Sequence, residues 1–446
     1  MRDGFPWPPF PWHPIDEKAA RRRFAEKAYH APLSVKIRPL FAARPTPMPT
    51  PRKEKIHFLE GLRGAGAMAV MAGHLIGAFF PAAAFGTSDN VHTAADLPLY
   101  NLPVLHVFFD GGFAVLIFFV LSGYVLTLSP ARWKTSAVKR FPRLMIPAFA
   151  SVMLAYVLIK SGFMFNQEVA PLSKSIWLGY FYKQPADFLS ALHEAVIGAV
   201  LLGHATYNSS LWTMAFEFYG ALLCIALAVM CEPLRRWRTA IYLGAALIAV
   251  ANLGTPGIYY AAMIFGLILT EFKKGKTWHP AIIFCLIVAA LMLGGLNDGH
   301  FYHALAVRKI EINGMTLDNV VLSKCVGAVA LVAALLRSTM LQAMLSGRAF
   351  RFLGKVSFSV YLIHVPIICS LGCWIFASLH GHVAYLVAAS SSILACVITT
   401  MAVSVVYERY IDRASISIAA RLSSCLLRDS RDNILSGQPN RPAADR

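Results

Sequence analysis

The chain has 446 residues, of which 57% are hydrophobic and 14% are Asp, Glu, Lys or Arg. Soluble domains carry about 45–50% apolar and about 25% charged residues. A mean hydropathy of +0.57 over the whole length requires long apolar runs, so a soluble enzyme and a disordered chain are both excluded. The formal net charge of +18, from 41 Lys and Arg against 23 Asp and Glu, suits either nucleic acid or anionic lipid until the positions of the charges are considered.

Eleven of the 25 prolines fall in the first 51 residues, together with Arg21-Arg22-Arg23. No apolar core of ~7–15 residues follows the early charges, so a signal peptide is not expected. Residues 1–55 are expected to form a disordered, basic, Pro-rich cytosolic arm that touches anionic lipid. A helix needs ~20 apolar residues to cross a bilayer. Ten such runs follow, at 65–83, 104–129, 142–162, 210–230, 238–253, 256–271, 279–297, 320–337, 356–379 and 383–407. A weaker apolar patch at 188–203 carries His193 and Glu194 and reads as interfacial or re-entrant. The short runs 238–253 and 256–271 are joined by Asn252-Leu253-Gly254-Thr255-Pro256-Gly257, which fits a tight helical hairpin. Beyond Glu408 the chain is polar and basic again, and 413–446 is expected to be a disordered cytosolic tail, too short for a second catalytic domain.

If the N-terminus is cytoplasmic and each run crosses once, the cytoplasmic segments are 1–64, 130–143, 232–238, 271–278, 337–355 and 408–446. These hold thirty-five of the 41 Lys and Arg, leaving Lys160, Lys174, Lys183, Arg308, Lys309 and Lys324. Positive residues mark cytoplasmic loops, so the economical solution is an all-α, multi-pass integral membrane protein of about ten transmembrane helices with both termini cytoplasmic. The excess positive charge is then a topology signal, and most of the case for nucleic acid disappears. The eight Cys lie mainly in apolar stretches without a CxxC pair, which points to buried thiols rather than a metal or redox site.

Each ionisable group inside a span costs roughly 2.5–3.5 kcal/mol on insertion scales and marks a candidate site. His74 lies mid-span, with Arg63 eleven residues earlier. That is about three turns and a rise of roughly 16 Å, so the two share a helix side, Arg63 at the cytosolic rim. Gly61, Gly64, Gly66 and Gly73 allow a neighbouring helix to approach closely, so His74 is either a site group or a histidine bonded across a packed seam. Asp110, ahead of the second span, either faces an external acceptor or caps the helix. Ser122 lies deep in that span, where a hydroxyl usually bonds back to its own helix, and no GxSxG elbow occurs in the chain. Lys139, Arg140 and Arg143 either bind a phosphorylated donor or anchor to lipid phosphates. Glu217 has apolar neighbours on both sides and favours function over an interhelical ion pair, while Trp212 before it reads as an interfacial anchor. Ser357, Tyr361 and His364 recur at i, i+4 and i+7, one polar stripe on an apolar helix.

These residues sit in five stretches that together resemble the acyltransferase-3 family of integral membrane acyltransferases, over roughly 56–412. Phe58-Leu59-Glu60-Gly61-Leu62-Arg63-Gly64 with His74 is similar to the family's Arg-x10-His signature. Phe118-Phe119-Val120-Leu121-Ser122-Gly123-Tyr124 is similar to its FFxxSG(F/Y) element. Arg140-x2-Arg143 running into Pro147 follows, then Trp212-Thr213-Met214-x2-Glu217. The last is Leu353-Gly354-x-Val356-Ser357-Phe358-Ser359-Val360-Tyr361-Leu362-Ile363-His364. The last span ends Tyr407-Glu408-Arg409-Tyr410 where the family often has Glu-x-Pro.

The resemblance implies transfer of an acyl group, most often acetyl, from cytosolic acetyl-CoA or another acyl-CoA to a hydroxyl of a carbohydrate or other acceptor, with no metal. A glycan, a lipid-linked sugar, a sterol or another small molecule would leave the same membrane core. His74 would then be the base or relay, since imidazole titrates in the right range, with Glu217 setting its tautomer or holding the acceptor. Arg63, Arg140 and Arg143 would pair with the donor's phosphates or steady the entrance. Tyr361 and His364 would complete the cleft or stabilise the oxyanion, and Asp110 and Trp212 would contact the acceptor. Ser122 is the place for a covalent intermediate if one forms. The competing reading is a proton-coupled secondary transporter, in which midplane His and Glu relay protons.

Overall fold

The computed structural model describes residues 56–436 apart from 87, 129–132, 184, 273–277, 300, 307 and 309. The Pro-rich arm 1–55 and tail residues 437–446 lie outside the described residues. The principal helices are α1 His57–Phe79, α2 Gly111–Thr127, α3 Trp133–Lys160, the short α4 Ile176–Tyr180, α5 Phe188–His193 continuing as a π-helix over Glu194–Leu202, α6 Thr213–Met230, α7 Arg238–Leu253 and α8 Thr255–Leu269. They continue with α9 Pro280–Gly294, α10 Asn319–Arg337, α11 Arg348–Ile367, α12 Tyr385–Tyr407 and α13 Arg413–Ser436. One small antiparallel hairpin, β1 Ile310–Ile312 with β2 Met315–Leu317, lies between α9 and α10.

Every apolar run of the sequence is therefore a helix in an all-α membrane protein. By length and composition six helical stretches among the described residues can cross a membrane: His57–Phe79, Trp133–Lys160, Ser209–Met230, Asn319–Arg337, Arg348–Leu379 and Tyr385–Leu427. The remaining apolar helices, including α2 and the α7–α8 pair, are shorter.

Small residues decide which helices touch. In lipid no hydrophobic difference drives one helix onto another, so close van der Waals contact does it. The α1–α11 contact is the most extensive. A Cβ on Gly64 would strike Leu353 and Gly354, and one on Gly354 would strike the Glu60 carbonyl. In the α2–α8 contact a Cβ on Gly123 would meet the carbonyl of Met263, and one on Gly266 that of Val120. Gly123, next to Ser122, thus serves packing. The expected hairpin between α7 and α8 is present: Gly254 takes φ +62, and Pro256 sits in the first turn of α8.

Proline and π-turns shape the helices around the centre. Pro366 inside α11 has no N–H for the Leu362 carbonyl one turn back. Asn208 supplies the donor, its Nδ2 2.6 Å from Leu362 O and 2.6 Å from Ser151 Oγ on α3. The chain then widens into a π-turn at Ile368–Gly372. The patch at 188–203 is the α5 and π-helix pair. Its Glu194 is buried, accepting from the backbone N–H of Thr206 at 3.1 Å and Tyr207 at 2.9 Å. Six of the eight Cys are buried and all eight are free thiols.

The tail differs from expectation. Residues 413–436 continue as α13 in place of disorder, because Ser415, Ala419 and Ser423, four residues apart, are buried where α13 packs on α3.

Candidate active site

Four helices and the start of a fifth surround one polar cleft of about 170 Å³. Arg63 enters from α1, Ser122 from α2, Arg140 and Arg143 from α3, Thr213 and Glu217 from α6, and Ser357 and Tyr361 from α11. The apolar wall includes Val115, Phe118, Phe119 and Phe358. Phe118 packs edge-on to the Tyr361 ring, centroids 6.1 Å apart, and can lie over α1 because Gly66 has no side chain to block it.

Glu217 is the hub at the cleft floor. It accepts hydrogen bonds from the Arg140 guanidinium and the Ser122 hydroxyl. Arg140 and Glu217 are each about 15% exposed, and Arg140 Nε is a buried donor without a hydrogen-bond partner among the described residues. Arg143 is held by Asp412 and, at 2.7 Å, by Ser415 Oγ, with its guanidinium 5.5 Å from the Phe358 ring centroid. Arg63 makes no hydrogen bond or ion pair among the described residues and is exposed to the cleft. Three guanidinium groups therefore face two carboxylates, leaving an uncompensated positive charge in a walled site suited to phosphate or carboxylate.

His74 does not touch Glu217. Its Nδ1 lies 2.7 Å from Nε2 of His364, with the rings within 8° of parallel. Trp177 of α4 stacks on His74 at 4.9 Å between centroids, 20° off parallel. The hydroxyl of Ser175 bonds the Gly77 carbonyl at 2.6 Å and docks α4 on α1. His364 is completely buried, while His74 keeps partial exposure. The connection to the cleft runs through Tyr361, whose ring centroid is 6.1 Å from that of His364 and whose hydroxyl is 2.9 Å from Thr213 Oγ1, one turn before Glu217.

The structure thus brings Arg63, Ser122, Arg140, Arg143, Glu217 and Tyr361 to one cleft, and joins His74 to His364 beside it. Of the two roles expected for Glu217, setting the His74 tautomer or holding the acceptor, the first would need a contact that His74 makes with His364 instead. Asp110 stands apart from both. It caps α2 by accepting from Phe113 N at 2.8 Å, pairs with Lys324 and His106, and is buried, so its oxygens are committed to the fold rather than turned to an acceptor. Trp212 packs on Phe216 and Tyr259 at 5.9 and 5.4 Å, outside the cleft lining. Among the described residues, no group of three His, Cys, Asp or Glu is arranged to hold a metal ion.

Sequence reasoning missed Trp177, Thr213 and Asp412. Thr213 lies inside the Trp212-to-Glu217 stretch and its i, i+4 spacing to Glu217 was a usable signal. Trp177 lies in a five-residue helix with no periodicity to read, and Asp412 at the edge of the polar tail.

Comparison with known proteins follows the same residues. The acyltransferase-3 family model, described as an acyltransferase domain, matches residues 56–406. The O-acetyltransferase PaAT-1 of Phomopsis amygdali is 23% identical, over 83% of this chain and 85% of the relative. The acyltransferase MdmB of Streptomyces mycarofaciens is 26% identical, over 71% of this chain and 80% of the relative. No solved structure matches.

Proposed function

The chain belongs to the acyltransferase-3 family and is a membrane O-acyltransferase; from that premise we propose that it moves an acyl group from cytosolic acyl-CoA to a hydroxyl-bearing acceptor, with His74 as general base. The observation that carries this reading is the cleft itself, in which Arg63, Arg140 and Arg143 line the wall with Glu217 as the one carboxylate among the lining residues, Asp412 pairing with Arg143 and the partly exposed His74 joined to the cleft through His364 and Tyr361. The donor's phosphates are anionic and bind at the guanidinium groups, leaving the thioester end to reach inward along Phe118 and Tyr361. The acceptor oxygen attacks the thioester carbonyl carbon, its proton passes to His74, the C–S bond breaks, and the proton then leaves with the thiolate as free CoA. Tyr361 and Thr213 supply hydroxyl donors on the route between the carboxylate and the histidine pair.

The name of the Phomopsis amygdali relative favours acetyl as the group carried. The acceptor is a glycan, a lipid-linked sugar or another small molecule, and the surrounding lipid is the enzyme's other partner. The protein crosses the membrane ten times with both termini in the cytosol, a topology supported by the thirty-five of 41 Lys and Arg that this threading gathers on one side. That arrangement opens the Arg63–Arg140–Arg143 end toward the coenzyme's compartment.

The test uses purified full-length protein in lipid nanodiscs with radiolabelled acetyl-CoA. The double variant Arg140→Gln/Glu217→Gln, which removes the ion pair without stranding one charge, is expected to bind acetyl-CoA about 10–100-fold more weakly, as loss of a charge-assisted contact of about 1.5–3 kcal/mol requires. His74→Ala is expected to bind normally and turn over at background rate. Full binding by the double variant, or full turnover by His74→Ala, would overturn the assignment.

A further inference from the structure

We infer that His364 is a positioning residue that locks His74 in its Nδ1–H tautomer, so that Nε2 of His74 is the basic nitrogen. This rests on His74 being the base. The chain of hydrogen bonds begins at the backbone. Nδ1 of His364 is 2.9 Å from the carbonyl oxygen of Val360, one turn back on α11. A carbonyl oxygen can only accept, so Nδ1 of His364 carries the hydrogen. Among the described residues neither ring meets a carboxylate, and an uncompensated charge inside a span is costly, so both imidazoles are neutral. A neutral imidazole has one N–H and one bare nitrogen, which makes Nε2 of His364 an acceptor.

That nitrogen lies 2.7 Å from Nδ1 of His74 in a nearly parallel ring. Two bare nitrogens at this distance would repel, so Nδ1 of His74 donates and its Nε2 keeps the lone pair. Trp177, stacked on the His74 ring, restricts its rotation. The burial pattern agrees: the support, His364, is completely buried, whereas His74 is only partly buried.

The arrangement uses the logic of the orienting carboxylate in a Ser-His-Asp triad without a fixed charge. Taking the acceptor's proton on Nε2 makes His74 an imidazolium, and its Nδ1–H to His364 becomes a charge-assisted bond. Stabilisation therefore appears when the proton moves, and a permanent anion need not be held in the membrane. The carboxylate of Glu217 is thereby left to the cleft floor.

The experiment compares His364→Leu, His364→Gln and His74→Ala in full-length protein in nanodiscs. CoA thiol release from acetyl-CoA, with water as acceptor, gives kcat and KM, and acetyl-CoA binding confirms folding. His364→Leu removes the acceptor and is expected to lower kcat by about 10²–10⁴-fold, the contribution of a positioned general base, with KM for acetyl-CoA unchanged. His364→Gln places a side-chain carbonyl where Nε2 stood and is expected to keep kcat within about tenfold of the parent, since the hydrogen-bond acceptor for Nδ1 of His74 is retained. Wild-type kcat in His364→Leu, with His74→Ala inactive, overturns the positioning role and leaves the base intact. Equal loss in Leu and Gln also overturns it, because an acceptor alone would then not suffice. Activity in His74→Ala instead removes the base reading. Nitrogen-15 spectra of histidine-labelled protein give a readout independent of turnover. The signals lost in His74→Ala should belong to a ring protonated at Nδ1, and protonation at Nε2 would refute the tautomer.

Discussion

At the scale of single residues, the polar groups divide into those that hold the fold and those that face the cleft, and substitution separates them. Asp110 binds Lys324 and caps α2 with its carboxylate. Asp110→Asn keeps a good cap but leaves Lys324 buried and unpaired, which is expected to cost about 3–5 kcal/mol. Asp110→Asn/Lys324→Met should recover most of that loss in thermal unfolding and should turn over acetyl-CoA like the parent; a double variant that is stable but inactive would return Asp110 to the acceptor site. Ser122 already gives its hydrogen to Glu217. Ser122→Ala is expected to lower turnover by no more than about 10–100-fold, since a hydrogen bond to a charged group contributes about 1.5–3 kcal/mol and 1.4 kcal/mol is tenfold. Intact-mass spectra should show no acyl-enzyme at this position. The identity of most site residues was legible because charge and imidazole are conspicuous in apolar runs. Their pairing was not: His74 and His364 are 290 positions apart, and nothing in either stretch says that imidazole rather than Glu217 completes the contact. For Asp110 both readings were open, and only the position of Lys324 two hundred residues on decides.

At the scale of elements, the break in α11 has a testable partner. Pro366 frees the Leu362 carbonyl, and Asn208 fills it. Asn208→Ala is expected to destabilise by about 1–3 kcal/mol, the cost of a buried acceptor left unmade. In the background of Pro366→Ala, where residue 366 has its own N–H to offer Leu362, the same change should cost less, and a double-mutant cycle by thermal unfolding should show coupling of about 0.5–3 kcal/mol. Strict additivity would disconnect the two residues. The same helices show how far periodicity carries. Every apolar run was found, but α1 begins at His57 rather than 65 because Glu60 and Arg63 ride on the helix. α3 begins at Trp133 rather than 142 because Pro142 and Pro147 are accommodated inside it. The helix at 413–436 was missed because its buried stripe is Ser and Ala, residues that read as polar or neutral until a neighbouring helix covers them.

At the scale of the whole molecule, the orientation proposed from the charge along the chain decides whether the coenzyme can reach the arginines. With the ten crossings proposed above, Arg140, Arg143 and α13 would share the cytosolic side, in keeping with Arg143 binding Asp412 and Ser415, and the β1–β2 hairpin would lie on the opposite side. Cys425 on α13 is exposed, as is Glu311 in β1. Two single-cysteine proteins, one retaining Cys425 and one carrying Glu311→Cys, should therefore react with a membrane-impermeant maleimide from opposite faces. Cys425 should label in inside-out vesicles and be protected in right-side-out ones, and Glu311→Cys should do the reverse. Labelling of both from one face would require an even number of crossings between β1 and α13 instead of the three of α10, α11 and α12, which would overturn the ten-crossing topology on which access of acyl-CoA to the arginines, the donor half of the proposed reaction, depends.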